Sequence, residues 1–235
     1  MRILVTRPRE QGEATAARLA ALGHEALVAP LLTIVPTSGS PPAGPCDALI
    51  VTSANAVPAL AGFEKARPVF AVGERTAAAV REAGFMNTRV AQGDGASLAT
   101  VVANALAPGA RLLHVAGRDR KPEPQASLTR EGFAVEKFVA YEAVTAIELP
   151  ENLRLALREA SLDAALHYSR RTIETALALT RAANLAKSFL ILRHLCLSAD
   201  VASPLRERGA ARLIVAREPD EASLLAALAL CDSSR

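Results

Sequence analysis

The feature that most limits how this chain can fold is the regular alternation of short apolar runs with longer segments of helical period. At the N-terminus, Arg2–Thr6 reads as a strand, Glu10–Leu22 as a helix that stops at Gly23, and Glu25–Ala29 as a second strand, which Pro30 ends. Parallel strands need long crossover connections, and these are usually helices. The alternation therefore predicts an α/β fold built from parallel sheets.

The number of strand candidates predicts two lobes. Further candidates lie at Ala48–Thr52, Val69–Val72, Arg111–Val115, Val135–Tyr141, Ala164–Tyr168, His194–Leu197 and Arg212–Val215. A sheet typically has about four to six strands, and only two candidates precede the Ser-, Gly- and Pro-rich loop Thr37–Pro45. The first lobe must then borrow three strands from the C-terminal third, with the middle of the chain inserted into it. A weak internal duplication, in which Asp47–Ser53 parallels Asp163–Ser169, indicates that the lobes are similar.

Composition and charge exclude several classes of protein. No run approaches the ~20 apolar residues that span a bilayer, and no basic segment followed by an apolar one marks a secretory signal. A net charge of +3 over 235 residues and the absence of Trp argue against nucleic-acid binding. Cys46, Cys196 and Cys231 lie far apart and read as reduced thiols, Cys196 as a buried one. We expect a cytoplasmic protein with no nucleic-acid or membrane partner.

No established catalytic or metal-binding signature occurs in the sequence. Gly-rich phosphate loops, nucleophile elbows and zinc-protease motifs are all absent. The histidines His24, His114, His167 and His194 are too far apart along the chain for metal-ligand spacing. We expect His114, His167 and His194, which lie within or beside strand candidates, to be packed and hydrogen-bonded, and we expect no metal.

The recurring feature is a strand that ends in small or hydroxyl residues and leads at once into a helix. The residues that we predict to bind a ligand at these turns are Thr52, Ser53, Gly73, Thr76, Gly117, Arg118, Ser169, Arg170 and Ser198. In an open parallel sheet such turns lie at the carboxyl edge, where ligands bind, and helix N-termini there favour anions. The alternative is that the Ser, Thr and Asp side chains at these turns only cap the helices.

Basic residues cluster near the same turns. They are Arg7, Arg118, Arg120, Lys121, Arg170 and Arg171. Taken singly, each of these residues is better interpreted as a solvated surface charge. Their shared position after strands predicts a polyanionic small molecule as the ligand, with Arg7 among the residues that bind it.

Several motifs follow one another in the order of a known enzyme family. They are Ile3–Pro8 (ILVTRP), Gly23-His24, Pro30–Ile34 (PLLTI), Leu49–Val57 (LIVTSANAV), Val72–Ala77 (VGERTA) and Val139–Val144 (VAYEAV). Over nearly its full length the chain resembles the bacterial uroporphyrinogen-III synthases. The resemblance implies two similar parallel-sheet, flavodoxin-like lobes joined by a two-stranded linker, with the site in the cleft between the lobes. We expect 1–34 with 147–235 as a discontinuous first domain, 37–140 as the inserted second domain, and 33–36 and 141–146 as linker strands.

The resemblance also implies the reaction. Linear hydroxymethylbilane loses its hydroxyl and closes to uroporphyrinogen III, with inversion of the last pyrrole ring through a spiro intermediate and without a cofactor. That substrate carries eight carboxylates, which suits turns lined by helix N-termini and arginines. We expect a monomeric cyclising lyase of tetrapyrrole synthesis. The alternative is a non-catalytic two-lobed binding protein for an anionic metabolite.

The resemblance implies roles for Tyr141 and Thr76 and raises a question about Asp200. Tyr141 matches the linker tyrosine of the family, and its phenol could donate a hydrogen bond to the leaving hydroxyl; alternatively it braces the linker. Thr76 matches a family threonine beside the cleft and could bind an acetate or propionate group. Before the helix the family often has Gly-Pro or Ser-Pro, whereas this chain has Ser198-Ala199-Asp200; the charge of Asp200 would repel a polyanion unless its side chain caps the helix.

Overall fold

The computed structural model describes residues 1–119 and 122–232, and for 229–232 it describes the backbone alone. Arg120 and Lys121, predicted as ligand-binding cations, and the side chain of Cys231 therefore lie outside the described residues. The strands are β1 (Arg2–Val5), β2 (Glu25–Val28), β3 (Leu32–Pro36), β4 (Ala48–Val51), β5 (Val69–Ala71), β6 (Thr88–Val90), β7 (Arg111–Gly117), β8 (Ala134–Thr145), β9 (Ala164–His167), β10 (Arg193–Cys196) and β11 (Leu213–Val215).

Helices connect most of these strands. They are α1 (Arg9–Ala21), α2 (Glu74–Glu82), α3 (Gly95–Ala103), α4 (Gln125–Arg130), α5 (Glu151–Arg158), α6 (Arg170–Ala182), α7 (Ala186–Leu190), α8 (Ala199–Glu207) and α9 (Glu221–Asp232), with a 3₁₀ helix at Ala54–Leu60. Gly23 follows α1 with a φ of 79°, the left-handed conformation that glycine adopts most readily. This is the helix stop that the sequence predicts.

The strands form two sheets in which parallel pairs predominate. One has the order β11-β10-β9-β1-β2, and all its neighbours are parallel. The other has the order β3-β8-β7-β4-β5-β6, in which β8 to β6 are parallel. Backbone bonds of 3.0 Å from Ala146 N–H to Leu31 and from Thr37 N–H to Ala140 make the β3–β8 pair antiparallel. The predicted fold class, two parallel-sheet α/β lobes joined by two linking strands, is confirmed.

Apolar residues on both faces of each sheet explain why the central strands are buried throughout. In the five-stranded sheet, Leu4, Ala165 and Cys196 pack with residues of α5 to α8, while Ile3 and Leu166 pack with residues of α1 and α9. The six-stranded sheet repeats the arrangement, with α2 and the 3₁₀ helix on one face and α3 and α4 on the other. Continuous apolar strands of this kind are typical of parallel sheets covered by helices on both sides.

The chain divides into two compact units. The first comprises residues Met1–Thr33 and Val144–Arg235, and the second comprises Ile34–Ala143. Both divisions fall inside linking strands, β3 and β8. Cys46 and Cys196 carry free thiols, and Cys196 is buried. Within residues 1–119 and 122–232, no helix has the length and apolar character needed to cross a membrane.

Candidate active site

The order of strands in the first unit collects four of the predicted ligand-binding residues at one edge of its sheet. Strands β10, β9 and β1 are neighbours and run parallel. Arg7 follows β1, Ser169 and Arg170 follow β9, and Ser198 follows β10. The carboxyl ends of parallel strands are the usual ligand-binding edge of such a sheet. The turns therefore lie where the sequence predicts an anion site.

The three serines at the strand ends cap helices. Each hydroxyl accepts a hydrogen bond from a backbone N–H of the first helical turn: Asn55 N–H to Ser53 at 3.3 Å, Thr172 N–H to Ser169 at 3.2 Å, and Val201 N–H to Ser198 at 3.3 Å. The capping role that the sequence left open is thus observed. Each cap uses one donor of the four at a helix start, so that an anion would meet mainly backbone N–H groups.

A dense polar network surrounds Arg7. Its guanidinium lies 4.0 Å from the centre of the Tyr168 ring and donates to Glu221 Oε1 at 3.1 Å. The same oxygen accepts from the Thr15 hydroxyl at 2.6 Å and the Tyr168 phenol at 2.8 Å, while Arg18 pairs with Oε2. A substrate carboxylate at Arg7 would therefore share the guanidinium with Glu221.

The protonation states within this network follow from its contacts. Burial raises the pKa of Glu221, but the hydrogen bonds from Thr15 and Tyr168 and the charges of Arg7 and Arg18 outweigh it, so the pKa lies below its ordinary value. Burial, and then the bond to Glu221, raise the pKa of the Tyr168 phenol. The network thus holds a carboxylate and a neutral phenol at neutral pH.

Sequence reasoning missed Glu221, although a signal for it existed. Glu221 begins α9, which follows β11, and β11 lies parallel to β10 in the same sheet. The rule that singled out the other strand-end residues applies to it equally. Because we looked for groups that bind anions, an acidic residue such as Glu221 was not among the candidates.

Asp200 does not cap α8, because Ser198 does. Its carboxylate instead accepts from Arg170 Nη1 at 3.3 Å, and Arg170 Nε donates to Glu174 at 2.9 Å. The repulsion that Asp200 was expected to exert on a polyanion is offset by this pair. Arg170 remains partly exposed beside it.

In the second unit, the predicted residues follow three neighbouring parallel strands, β7, β4 and β5. Thr52 Oγ1 lies 3.1 Å from Nε2 of buried His114, which links the end of β4 to β7. Gly73 is the N-cap residue of α2, and a Cβ there would come 3.4 Å from the Cα of Gly93. Thr76, in the first turn of α2, is only 6% exposed, so its hydroxyl presents little surface to a ligand.

Tyr141 lies beside the end of β7, where a bulge changes the register. Ala116 pairs with Val139, but Gly117 pairs with Tyr141, so β8 carries one extra residue. The Arg118 N–H donates to the Tyr141 carbonyl at 2.9 Å. The structure therefore joins three of the predicted residues, Gly117, Arg118 and Tyr141, at one point.

Two further contacts define the surroundings of Tyr141. The Arg118 side chain pairs with Glu142 at 2.6 Å. The Tyr141 ring is half-buried against the core cluster that contains Val115 and Phe138. Among the described residues, the Tyr141 hydroxyl makes no hydrogen bond, which leaves it available to a substrate.

His114, His167 and His194 are buried in the core, as the sequence predicts. His167 Nε2 lies 2.9 Å from His194 Nδ1, and both side chains are fully buried on β9 and β10. Burial lowers the pKa of His167 well below its usual value and that of His194 to about 4. Across residues 1–119 and 122–232, no cluster of three or more His, Cys, Asp or Glu side chains could hold a metal ion.

One cavity of about 350 Å³ lies at the opposite edge of the second sheet, near the starts of β7 and β8. Its wall includes Phe63, Leu112, Leu113 and Val135 and none of the predicted site residues. The wall also contains Arg111 and Glu136, but the cavity lies away from the carboxyl ends of the strands, where ligands usually bind in parallel sheets. The strand-end turns are therefore the better candidate site.

Comparison with known proteins supports the same fold. The model of the family described as "Uroporphyrinogen-III synthase HemD" matches residues 13–226. No curated protein matches significantly. Among solved structures, uroporphyrinogen-III synthetase from Helicobacter pylori is similar with a TM-score of 0.67 at 19% identity, and the match covers 100% of both chains. A mutant uroporphyrinogen III synthase from the extremely thermophilic bacterium Thermus thermophilus gives a TM-score of 0.54 at 20% identity, also over 100% of both chains.

Proposed function

The chain belongs to the uroporphyrinogen-III synthase family, and from this premise we propose that it is a cyclising lyase that converts hydroxymethylbilane to uroporphyrinogen III. The single observation that carries the proposal is the family match, which spans residues 13–226 of the 235. The non-catalytic binding protein that the sequence left open is not favoured by this match.

The reaction breaks one C–O bond and rearranges C–C bonds. The electron-rich pyrrole that carries the CH₂OH group expels its hydroxyl, which gains a proton and leaves as water. The last ring, at the other end of the chain, attacks the resulting CH₂ carbon through its substituted α-carbon and gives the spiro intermediate. The C–C bond from that α-carbon to the neighbouring bridge then breaks and forms again at the unsubstituted α-carbon of the same ring, so the ring is inverted. A proton is finally lost from the ring. Folding a flexible chain for this attack can contribute up to ~7–11 kcal/mol.

We assign the Tyr141 phenol the role of hydrogen-bond donor to the leaving hydroxyl. The half-buried ring and the absence of another partner for its hydroxyl within the described part of the chain support this role. General acid catalysis by a positioned group contributes about 10²- to 10⁴-fold.

The strand-end groups of each unit bind substrate carboxylates in this account. In the first unit these are Arg7, Arg170 and the helix starts at Ser169 and Ser198. In the second they are Thr52, Ser53, Gly73 and Arg118, whereas Thr76 is too buried to contribute its hydroxyl. Because the three serine hydroxyls are used as caps, the backbone N–H groups beside them are the proposed donors. The geometry within each unit supports this proposed division of roles.

The finer predictions about organisation are proposals too. We propose domains at 1–34 with 147–235 and at 37–140, linker strands at 33–36 and 141–146, and a monomer located in the cytoplasm. The free thiols of Cys46 and Cys196 support a reducing compartment.

Turnover tests the proposed function. Hydroxymethylbilane, supplied in large molar excess, should be converted to uroporphyrinogen III by many equivalents per protein molecule. A protein that only binds the substrate would protect or sequester at most one equivalent. Conversion that never exceeds one equivalent would therefore contradict the proposal.

A further inference from the structure

Gly117 lies under the ring of Tyr141. A Cβ placed on Gly117 would come 2.8 Å from Tyr141 Cζ, 2.9 Å from Cε2 and 3.0 Å from the phenol oxygen. Contacts this short do not occur between real Cβ atoms and ring atoms, so any larger residue here would displace the ring. The absence of a side chain at Gly117 therefore allows the Tyr141 hydroxyl to occupy its observed position.

The backbone around Gly117 holds the same arrangement. The bulge between Ala116 and Gly117 brings Tyr141 opposite Gly117, where regular pairing would place Ala140. The bond from Arg118 N–H to the Tyr141 carbonyl fixes the tyrosine backbone, and Arg118 and Glu142 pair beside it. Bulges of this kind commonly re-aim a side chain next to an active site.

We propose that Gly117 is a positioning residue for the Tyr141 phenol, and not the substrate-binding residue that the sequence predicts. The glycine leaves the space in which the ring lies, and the bulge brings the ring over that space. The kinetic part of this proposal rests on the proposed role of Tyr141 in catalysis; the geometric part does not.

Kinetics of Gly117→Ala in two backgrounds test the positioning role. We expect kcat to fall at least about tenfold with KM changed less than about twofold, because only the donor to the leaving hydroxyl is displaced. In a Tyr141→Phe background the same substitution should lower kcat less than about twofold, since the hydroxyl it acts through is already gone. Gly62→Ala is the control, because a Cβ there meets nothing within 4 Å. A rise in KM in both backgrounds would mean that Gly117 binds substrate, and would overturn the proposal.

Ring signals test the geometry without reference to activity. The chain has only two tyrosines, so ring-¹³C-labelled tyrosine gives two sets of NMR signals, which Tyr141→Phe assigns. Gly117→Ala should shift the Tyr141 signals and leave those of Tyr168 in place. Unmoved Tyr141 signals would overturn the proposal whatever the kinetics show. If the signals move but Tyr141→Phe is fully active, the catalytic role of Tyr141 fails and the positioning stands.

A second variant covers the case in which Gly117→Ala does not fold. Combining it with Tyr141→Ala removes the ring that the new Cβ would strike. Recovery of folding in the double variant supports the proposal, and continued unfolding contradicts it, because the crowding would then lie elsewhere.

Discussion

Each unit contains one of the two tyrosines, and their surroundings assign them different roles. Tyr141 has a half-buried ring and a hydroxyl without a partner among the described residues, whereas the Tyr168 hydroxyl donates to Glu221 at 2.8 Å and its ring lies against Arg7. The first hydroxyl is free to act on a substrate. The second is used to hold α9 to the end of the first sheet.

Tyr141→Phe should slow turnover at least about tenfold, because a proton donor to the leaving hydroxyl is lost. The free energy of unfolding should change by less than about 0.5 kcal/mol, since the ring and its packing remain. Steady-state kinetics and urea unfolding measure the two effects. Undiminished turnover would assign Tyr141 a structural role in the linking strand.

Tyr168→Phe is the matched control for Tyr141→Phe, and we expect it to lower stability. It removes a hydrogen bond to a partly buried carboxylate, which typically contributes about 1.5–3 kcal/mol. We expect a loss of unfolding free energy in that range. A Tyr168→Phe protein as stable as the parent would show that the Arg7 network does not depend on this bond.

At the scale of elements, helix caps explain much of what the strand-end turns do. Helix α8 begins shortly after β10, and the Ser198 hydroxyl accepts a hydrogen bond from the backbone N–H of Val201, three residues on. Ala cannot make this bond, whereas Gly at the same position costs only a few tenths of a kcal/mol. Capping and substrate binding by the hydroxyl can therefore be separated with two variants.

Ser198→Ala should lower the free energy of unfolding by about 1 kcal/mol, and Ser198→Gly by only a few tenths. If the hydroxyl serves only as a cap, KM for hydroxymethylbilane should stay within about twofold of the parent value in Ser198→Gly. Urea unfolding and initial rates measure these effects. An equal rise of KM in both variants would instead assign the hydroxyl to the substrate.

Elements with strong periodicity could be predicted from the sequence, and weak ones could not. The buried strands β4 and β9 and the helix α1 were found because each is a continuous apolar or amphipathic run closed by Gly, Pro or a hydroxyl residue. The three-residue strand β6 and the five-residue helix α7 are too short to show a period. Helix α5 begins at Glu151, directly after Pro150, and proline is common near helix starts.

At the scale of the whole molecule, the number of strands predicted how the first sheet is assembled. A sheet typically has about five strands, and the N-terminal segment supplies only two, so the other strands must come from a distant part of the chain. The first sheet does combine β1 and β2 with β9, β10 and β11. The site was less predictable, since long-range contacts decide it: Glu221 meets Arg7 across 214 positions, and the Gly117–Tyr141 contact depends on a bulge that no local pattern indicates.

Acid should destabilise the first unit before the carboxylates titrate. Burial holds the pKa of His194 at about 4, below its usual 6.5, so the unfolded chain binds the proton first and stability falls as the pH drops between these values. From about pH 7.5 to about pH 5 His194 alone contributes a loss of about 2 kcal/mol. His167, whose pKa burial also lowers well below its usual value, adds a loss of the same sign. Glu221 adds a further loss only below about 4.5, because its pKa is also lowered.

Tyrosine fluorescence can follow this unit alone. In a Tyr141→Phe protein the remaining tyrosine, Tyr168, lies in the first unit, and the chain has no Trp. Replacing His167 and His194 together with Leu should flatten the pH dependence above about pH 4.5, since both partners of the hydrogen bond leave at once. A pH dependence that the double variant keeps would place the titrating group elsewhere.

The most direct test of the central claim is the isomer of the product. Hydroxymethylbilane is supplied with catalytic amounts of the protein or of its heat-denatured form, the products are oxidised to porphyrins, and the type I and type III isomers are separated. We predict that the native protein gives the type III isomer as the main product, while the denatured control gives type I from uncatalysed closure. Type I alone from the native, folded protein would contradict the account.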